Sequence, residues 1–266
     1  MMNSIVLAIP DQNRGHWLEL AAKTRAFRKI EMSWEGFLAP EAEDGILAER
    51  GLDLVAIRDL IASEVTRNLV GLSNQMRQQA QAILSARLVE IRNREVRTAI
   101  FDLGVGRNVG DGGDFNFARR VKFMRDLMAV AASQEVKVCL QARYPRAYPT
   151  APQWDMVGNV IHEVMHPNCR LALDLYAAEL PPGFQVRDFL RRCGCHLSVL
   201  RLHFEPMAGE GLSGGFIEQW REALDGYLFK GMVVFSPDGS IEAGSILGLL
   251  RRMRQWAVAM TPLEQS

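Results

Sequence analysis

On one short apolar run of the chain, Arg201, His203 and Glu205 alternate with Leu200, Leu202 and Phe204. The pattern recurs. Ala172, Asp174 and Tyr176 alternate with Leu171, Leu173 and Leu175, and Cys139, Gln141 and Arg143 with Val138 and Leu140. Asp102 sits between Phe101 and Leu103, and Lys29, Glu31 and Ser33 flank Ile30 and Met32. A period of two sends successive side chains to opposite faces of a strand. Each run therefore has an apolar face and a face able to bond, titrate or ligate. Carboxylates beside an imidazole can hold a divalent cation or pass protons. Arginines grip carboxylates and the oxygens of polar ligands. Glu31, Asp102, Asp174 and Glu205 face Lys29, Arg143, Arg201 and His203. Burying so many charges is costly unless each is paired, so their gathering on one set of strand faces points to a binding site.

The elements that must position them form an eight-fold alternation. Strand-like runs at Ser4–Ile9, Arg28–Ser33, Asp53–Ile57, Thr98–Leu103, Lys137–Ala142, Arg170–Leu175, Leu197–Phe204 and Gly231–Phe235 are each followed by a helical stretch. Eight β-then-α units predict an α/β fold, a closed (β/α)8 TIM barrel, as one domain over residues 1–266. The clearest helical periods lie in Leu69–Glu90, Phe117–Ser133, Trp154–Met165, Phe216–Leu224 and Ser245–Val258. The site is expected at the C-terminal ends of the strands. The Gly-rich loops 104–114 and 207–215 would overhang it, as turns or a lid.

Composition excludes several classes. The 31 basic and 31 acidic residues balance, which gives no bulk attraction for nucleic acid or an anionic membrane. Arg251, Arg252 and Arg254 have the spacing of a solvated helix face. No apolar run approaches the roughly 18 residues of a membrane span, and Ile5–Pro10 lacks the basic flank of a signal peptide. A cytoplasmic protein with reduced thiols is expected. His166, Cys169, Cys193, Cys195 and His196 could be soft metal ligands, but they fall at the opposite end of the barrel and Cys-x-Cys is not a zinc-knuckle spacing. Buried thiols are the expectation. Gly211–Gly215 is not a nucleophile elbow, and Gly104–Gly113 lacks the Lys-Ser/Thr of a phosphate loop. Pro237–Ser240 enters the last loop, where many barrels hold phosphate, but Asp238 and Glu242 disfavour one there.

Lys29-Ile30-Glu31, Arg50-Gly51-Leu52, Val136–Gln141, Leu171-Ala172-Leu173-Asp174, Leu200-Arg201-Leu202-His203, Tyr227 and Gly231 follow one another around the eight strands. In that order the chain resembles xylose-isomerase-like TIM barrels, which include sugar-phosphate isomerases/epimerases and endonuclease-IV-like enzymes. The resemblance implies one divalent metal (Mn, Mg or Zn) held by Glu, Asp, His and Glu from strands five to eight, the glutamates serving as acid and base. It places metal ligands at Asp174 and His203. The first glutamate position holds Gln141 and the last falls at Phe235 or Ser236. Ala177 stands where a further His is usual, and Pro206 where an acid is usual, with Glu205 beside it. Gln cannot act as a base near neutral pH, and Arg143 and Arg201 bring positive charge into the same layer.

Two readings follow. In one, the chain is a sugar or sugar-phosphate isomerase/epimerase-like protein with an altered or lost metal site. Glu31, Asp102 and Glu205 are then the candidate catalytic carboxylates, with Glu31 and Asp102 able to build a shifted metal site with Asp174 and His203. In the other, it is a metal-free carbohydrate- or carboxylate-binding relative that does no chemistry. Arg143, Arg201, Tyr176 and Gln141 are the candidate ligand-binding residues in both, and the partner is a small molecule. Nucleic-acid repair needs a richer His/Asp/Glu cluster than five histidines supply. Arg201 is expected to pair with Asp174 and other inward carboxylates, and metal binding is expected to be weak or absent.

Overall fold

A computed structural model describes residues 4–25, 27–61, 74–104, 113–144, 153–176, 185–204, 214–237 and 243–260. The expected alternation is present. Strands β1 (Ser4–Ala8), β2 (Lys29–Ser33), β3 (Asp53–Arg58), β4 (Thr98–Phe101), β5 (Lys137–Tyr144), β6 (Cys169–Tyr176), β7 (Leu197–Phe204) and β8 (Met232–Pro237) pair in sequence order. All pairs are parallel, and β8 closes on β1. The result is a (β/α)8 TIM barrel. Helices α1 (Arg14–Thr24), α4 (Asn74–Asn93), α5 (Gly113–Ser133), α6 (Gln153–Val164), α7 (Val186–Cys193), α8 (Gly214–Gly226) and α9 (Ala243–Met260) lie between and after the strands. The β2–β3 connection instead carries the short α2 (Trp34–Phe37), a 3₁₀ turn at Pro40–Ala42 and α3 (Asp44–Glu49).

Strand parity sorts the residues into two cores. Leu7, Ile30, Met32, Ile57, Phe101, Val138, Leu140, Leu173, Leu200, Leu202, Val233 and Phe235 point outward, in one buried cluster with helix residues such as Leu84, Met124 and Trp220. Val6, Ala8, Ala56, Ile100, Cys139, Ala172, Val199 and Val234 form a separate cluster inside the barrel. Both faces of these strands are buried, which explains their dense apolar sequence.

Helix ends deliver the chain into the next strand by a repeated device. At the ends of α3, α4, α5 and α8, the third residue past the helix reaches back to a carbonyl five residues earlier: Leu52 to Leu47, Val96 to Ile91, Val136 to Ala131 and Phe229 to Leu224. The residue between takes a positive φ. It is Gly51 in one case, but Glu95, Glu135 and Leu228 in the others, so three of these stops lack the usual glycine signal. On α9, Arg251, Arg252 and Arg254 are exposed while Met253 is buried, the solvated face that their spacing suggested. Among the described residues, no helix is long and apolar enough to cross a membrane.

Candidate functional site

Two residues beyond the apolar floor, β5, β6 and β7 turn polar on their inward faces. On β7, Val199 is followed by Arg201 and then His203. On β6, Ala172 is followed by Asp174 and Tyr176, and on β5 Cys139 by Gln141 and Arg143. Register brings these together: Asp174 lies opposite both Arg143 and Arg201, and His203 opposite both Tyr176 and Ser236. On the far side, the β2–β3 register shifts between Ile30 and Glu31, which sets Glu31 opposite Ala56 and Ser33 opposite Arg58.

Arg201 is the centre of the arrangement. Its side chain is 2% exposed. Nη1 donates to Asp174 Oδ1 at 2.6 Å, and Nη2 donates to both carboxylate oxygens of Glu31 at 2.8 Å. Gln141 Nε2 donates to the other Asp174 oxygen, and His203 Nε2 lies 3.5 Å from Asp174 Oδ1. Burial alone would raise the Asp174 pKa, but the Arg201 charge, His203 and the Gln141 amide outweigh it and hold the carboxyl below its usual range. Burial likewise opposes the Arg201 charge, and Glu31 and Asp174 reverse that effect and raise its pKa. Glu31 is gripped from a second side. Arg58 Nε stands 3.6 Å from it, while the same guanidinium donates to Asp59 (2.6 Å) and lies 3.4 Å from Asp11. Ser33 donates to Asp11 and accepts from the Gly36 amide, so α2 is capped and Asp11 tethered by one hydroxyl.

Above this network opens a cavity of about 510 Å³. Gln141, Arg143, Asp174, Tyr176, Arg201 and His203 line one side, and Asp11, Gln12, Arg58, Asp59 and Ser236 the other. The Tyr176 and His203 rings stack at 4.3 Å and 9°, and the Arg143 guanidinium sits 5.6 Å from the Tyr176 ring centre.

Seven of the nine candidate residues meet here. Gln141, Arg143, Asp174, Tyr176, Arg201 and His203 line the cavity, and Glu31 lies beneath it, bonded to Arg201. Asp102 is buried but does not line the cavity; its Oδ1 accepts the Gly104 amide and so closes the turn after β4. Glu205 lies outside the described residues, as do most of loops 104–114 and 207–215 and residues 238–240. The expected place of Lys29 at the mouth is corrected. It opens β2, at the other end of the barrel, and donates to Ser4 Oγ at 2.9 Å.

Sequence reading missed Asp11, Gln12, Arg58 and Asp59, and named Ser236 only as a position that lacks the family's glutamate. Parity would have found Arg58, two residues beyond inward Ala56, had β3 been extended by one residue past Ile57. Ser236 follows inward Val234 in the same way. Asp11, Gln12 and Asp59 belong to loops, which carry no period. The Cys/His group divides between different tasks: Cys169 is buried, Cys195 is exposed, and His166 Nδ1 accepts the Asn168 amide.

The residues present do not fit the divalent cation that the family resemblance implies. Both Asp174 oxygens and both Glu31 oxygens already accept hydrogen bonds, and the cation between them is a guanidinium. Among the described residues, no three His, Cys, Asp or Glu side chains are arranged to hold a metal.

A closed barrel with its polar cluster at the C-terminal strand ends defines the fold class, and solved structures share that fold. The chain is similar to D-psicose 3-epimerase from Clostridium cellulolyticum H10 with D-tagatose (TM-score 0.70, 17% identity, 96% of each chain). It is similar to a xylose isomerase domain protein from Planctomyces limnophilus (TM-score 0.63, 13% identity, 97% of each chain). It is also similar to an AP endonuclease of family 2 from Brucella melitensis (TM-score 0.69, 16% identity, 94% of this chain and 98% of that one). The structural neighbours are thus xylose-isomerase-like TIM barrels, sugar epimerases among them, and at these identities the likeness is one of fold. No protein-family model matches the sequence, and no curated protein matches it.

Proposed function

We propose that the chain is a sugar isomerase/epimerase-like barrel, acting as one cytoplasmic domain, whose mouth binds a small carbohydrate and whose divalent-metal position is altered. One observation carries the proposal: Arg201, buried between Glu31 and Asp174, supplies the positive charge that a metal would supply in this layer. The cavity above it, about 510 Å³, has room for a monosaccharide. Its amide, hydroxyl, carboxylate and guanidinium groups suit the paired donors and acceptors of sugar hydroxyls, and the stacked Tyr176 and His203 provide a flat wall. Charges in the described lining balance, with Arg58, Arg143 and Arg201 against Asp11, Asp59 and Asp174. That balance favours an uncharged sugar over a sugar phosphate, a carboxylate or nucleic acid.

A second reading, binding without turnover, is favoured by the surroundings that keep Asp174 ionised. A carboxylate held below its usual pKa and hydrogen-bonded at both oxygens is a poor proton acceptor. The two readings separate in one experiment. The protein is titrated calorimetrically with D-fructose, D-tagatose and D-allulose, and the sugars are then recovered and analysed for interconversion. Binding that weakens about tenfold or more in Arg143→Ala and Tyr176→Ala supports the site (about 1.4 kcal/mol per factor of ten), and interconversion decides for the enzyme. Absence of binding to every ketohexose defeats the carbohydrate proposal. Stoichiometric metal in protein purified without chelator defeats the altered-metal half.

A further inference from the structure

We infer that the chain binds a small organic phosphate at the end of the barrel opposite the mouth, in a cavity gathered around Arg25, Arg28 and Arg50. The inference depends on neither the carbohydrate nor the metal position. The cavity, of about 630 Å³, lies where α1 and α3 end and the chain enters β2 and β3. Lys23 and Arg25 come from the end of α1, Arg28 from the approach to β2, and Glu49 and Arg50 from the end of α3. Lys23 is answered by Glu19, which leaves three guanidiniums against Glu49 in the described lining. The mouth, by contrast, sets three arginines against three aspartates. Cations at helix C-termini ordinarily serve the last carbonyls. Here other groups already hold these: the Thr24 hydroxyl donates to the Leu20 carbonyl, and the backbone N–H groups of Arg25, Arg50, Gly51 and Leu52 donate to Ala22, Ile46, Ala48 and Leu47. Among the described residues, no hydrogen bond or ion pair engages the guanidinium of Arg25, Arg28 or Arg50. The Arg50 charge reaches Glu19 only through space. Arg50 Nη1 is shielded from solvent without a hydrogen-bond partner, a costly state for a charged donor. Both helices turn the negative poles of their dipoles towards this end, which opposes an anion, so a site here needs several cations and has them. Guanidinium forks match the oxygens of a phosphate. Phosphate alone would leave most of the cavity unfilled, and Ala21, Phe27 and Leu52 give an organic body an apolar wall to rest on. The apolar floor separates this end from the mouth, so the phosphate belongs to a second molecule and not to a sugar held above Arg201.

The test titrates the native chain by calorimetry with phenyl phosphate, inorganic phosphate and benzoate at constant ionic strength, and melts it with and without each. The same is done for Arg50→Gln, Arg28→Gln/Arg50→Gln, the mouth variant Arg143→Ala, and Arg252→Gln on the solvated face of α9. Native protein is expected to bind one phenyl phosphate per chain, more tightly than either phosphate or benzoate, and to melt higher with it. Arg50→Gln is expected to weaken that binding about tenfold or more, the scale of a lost charge-assisted hydrogen bond, and the double variant to abolish it. Arg143→Ala and Arg252→Gln are expected to bind as native protein does. No binding, or a melting shift that sodium chloride reproduces, overturns the inference. Benzoate that binds as tightly as phenyl phosphate overturns the phosphate, and inorganic phosphate that does so overturns the organic body. Equal weakening in Arg252→Gln means attraction to surface charge and overturns the site. Weakening in Arg143→Ala with none in Arg50→Gln puts the anion in the mouth; it overturns this inference and also the preference there for an uncharged sugar. Failure of every other outcome to appear in the mouth leaves the carbohydrate reading to its own titration with ketohexoses.

Discussion

Val199 and Arg201 are two residues apart on the same face of the same strand, and both are buried. Val199 belongs to an apolar layer that also holds Val6, Ala56, Ile100, Cys139, Ala172 and Val234. Arg201 belongs to a layer held by ion pairs to Glu31 and Asp174. The floor is stabilised by removing apolar surface from water and by close packing, terms that are diffuse and shared among many side chains. The mouth draws on a few directional bonds that must offset a large desolvation cost. The barrel thus separates scaffold from site by one step of the strand period, so burial alone does not distinguish the two. Chemistry at a given parity does.

The largest expected effect falls on the mouth. Arg201→Met leaves Glu31 and Asp174 buried without their shared partner and should cost about 3–5 kcal/mol in urea unfolding. The triple variant Arg201→Met/Glu31→Leu/Asp174→Leu, which removes charge and partner together, should recover most of that loss, since buried ion networks are often replaceable by apolar side chains. It should also abolish ligand binding. A triple variant no more stable than the single one would mean that the mouth packs like the floor and that the contrast is one of composition only.

Acid should act on the mouth and spare the floor. Folded Asp174 lies below the usual carboxylate range, because Arg201, His203 and Gln141 outweigh its burial. A depressed folded pKa contributes stability that is complete above the unfolded value, about 3.9, and that is lost as the pH falls through the folded value. The stability gap between native protein and Asp174→Asn should therefore be widest near neutral pH and narrow below about pH 4. A gap that widened on acidification would reverse the assigned sign. The floor variant Ile100→Val should cost a smaller 0.5–1.5 kcal/mol, roughly, at every pH.

The same contrast accounts for what the sequence reveals. The eight strands and the inward set on β2, β5, β6 and β7 are legible because a buried sheet imposes a period of two that any polar residue interrupts visibly. Arg201 pairing with Asp174 follows from adjacent strands. Its bidentate grip on Glu31, 170 residues away, does not, since that depends on how wide the closed barrel is and on the β2–β3 register shift. Asp11 and Asp59 were missed because loop residues have no period to betray them. Asp102 shows the opposite error: its parity is right, but the strand ends at Phe101, so its side chain serves the turn. The short α2–α3 segment escaped for a related reason. It is clamped from outside by Arg94, which donates to the Phe37 and Ala42 carbonyls and pairs with Asp44.

The last test asks whether floor and mouth open together. Cys139 lies in the floor, and burial pushes its thiol up to about 12, as it does for Cys169. Cys195 is exposed. A thiol reagent followed by peptide mass spectrometry should therefore label Cys195 at once and Cys139 only when the barrel opens. Because β7 carries both Val199 and Arg201, and each strand is bonded on both sides in a closed sheet, the described strand ends of the mouth have no hinge separate from the floor. Arg201→Met should accelerate Cys139 labelling by the factor its global destabilisation dictates, about tenfold per 1.4 kcal/mol, and no more. Labelling faster than that factor would mean that losing the central guanidinium parts β6 from β7 locally while the rest of the barrel stays folded. The ion pairs would then act as a seam of the barrel itself, and the separation of scaffold from site would fail at this strand pair.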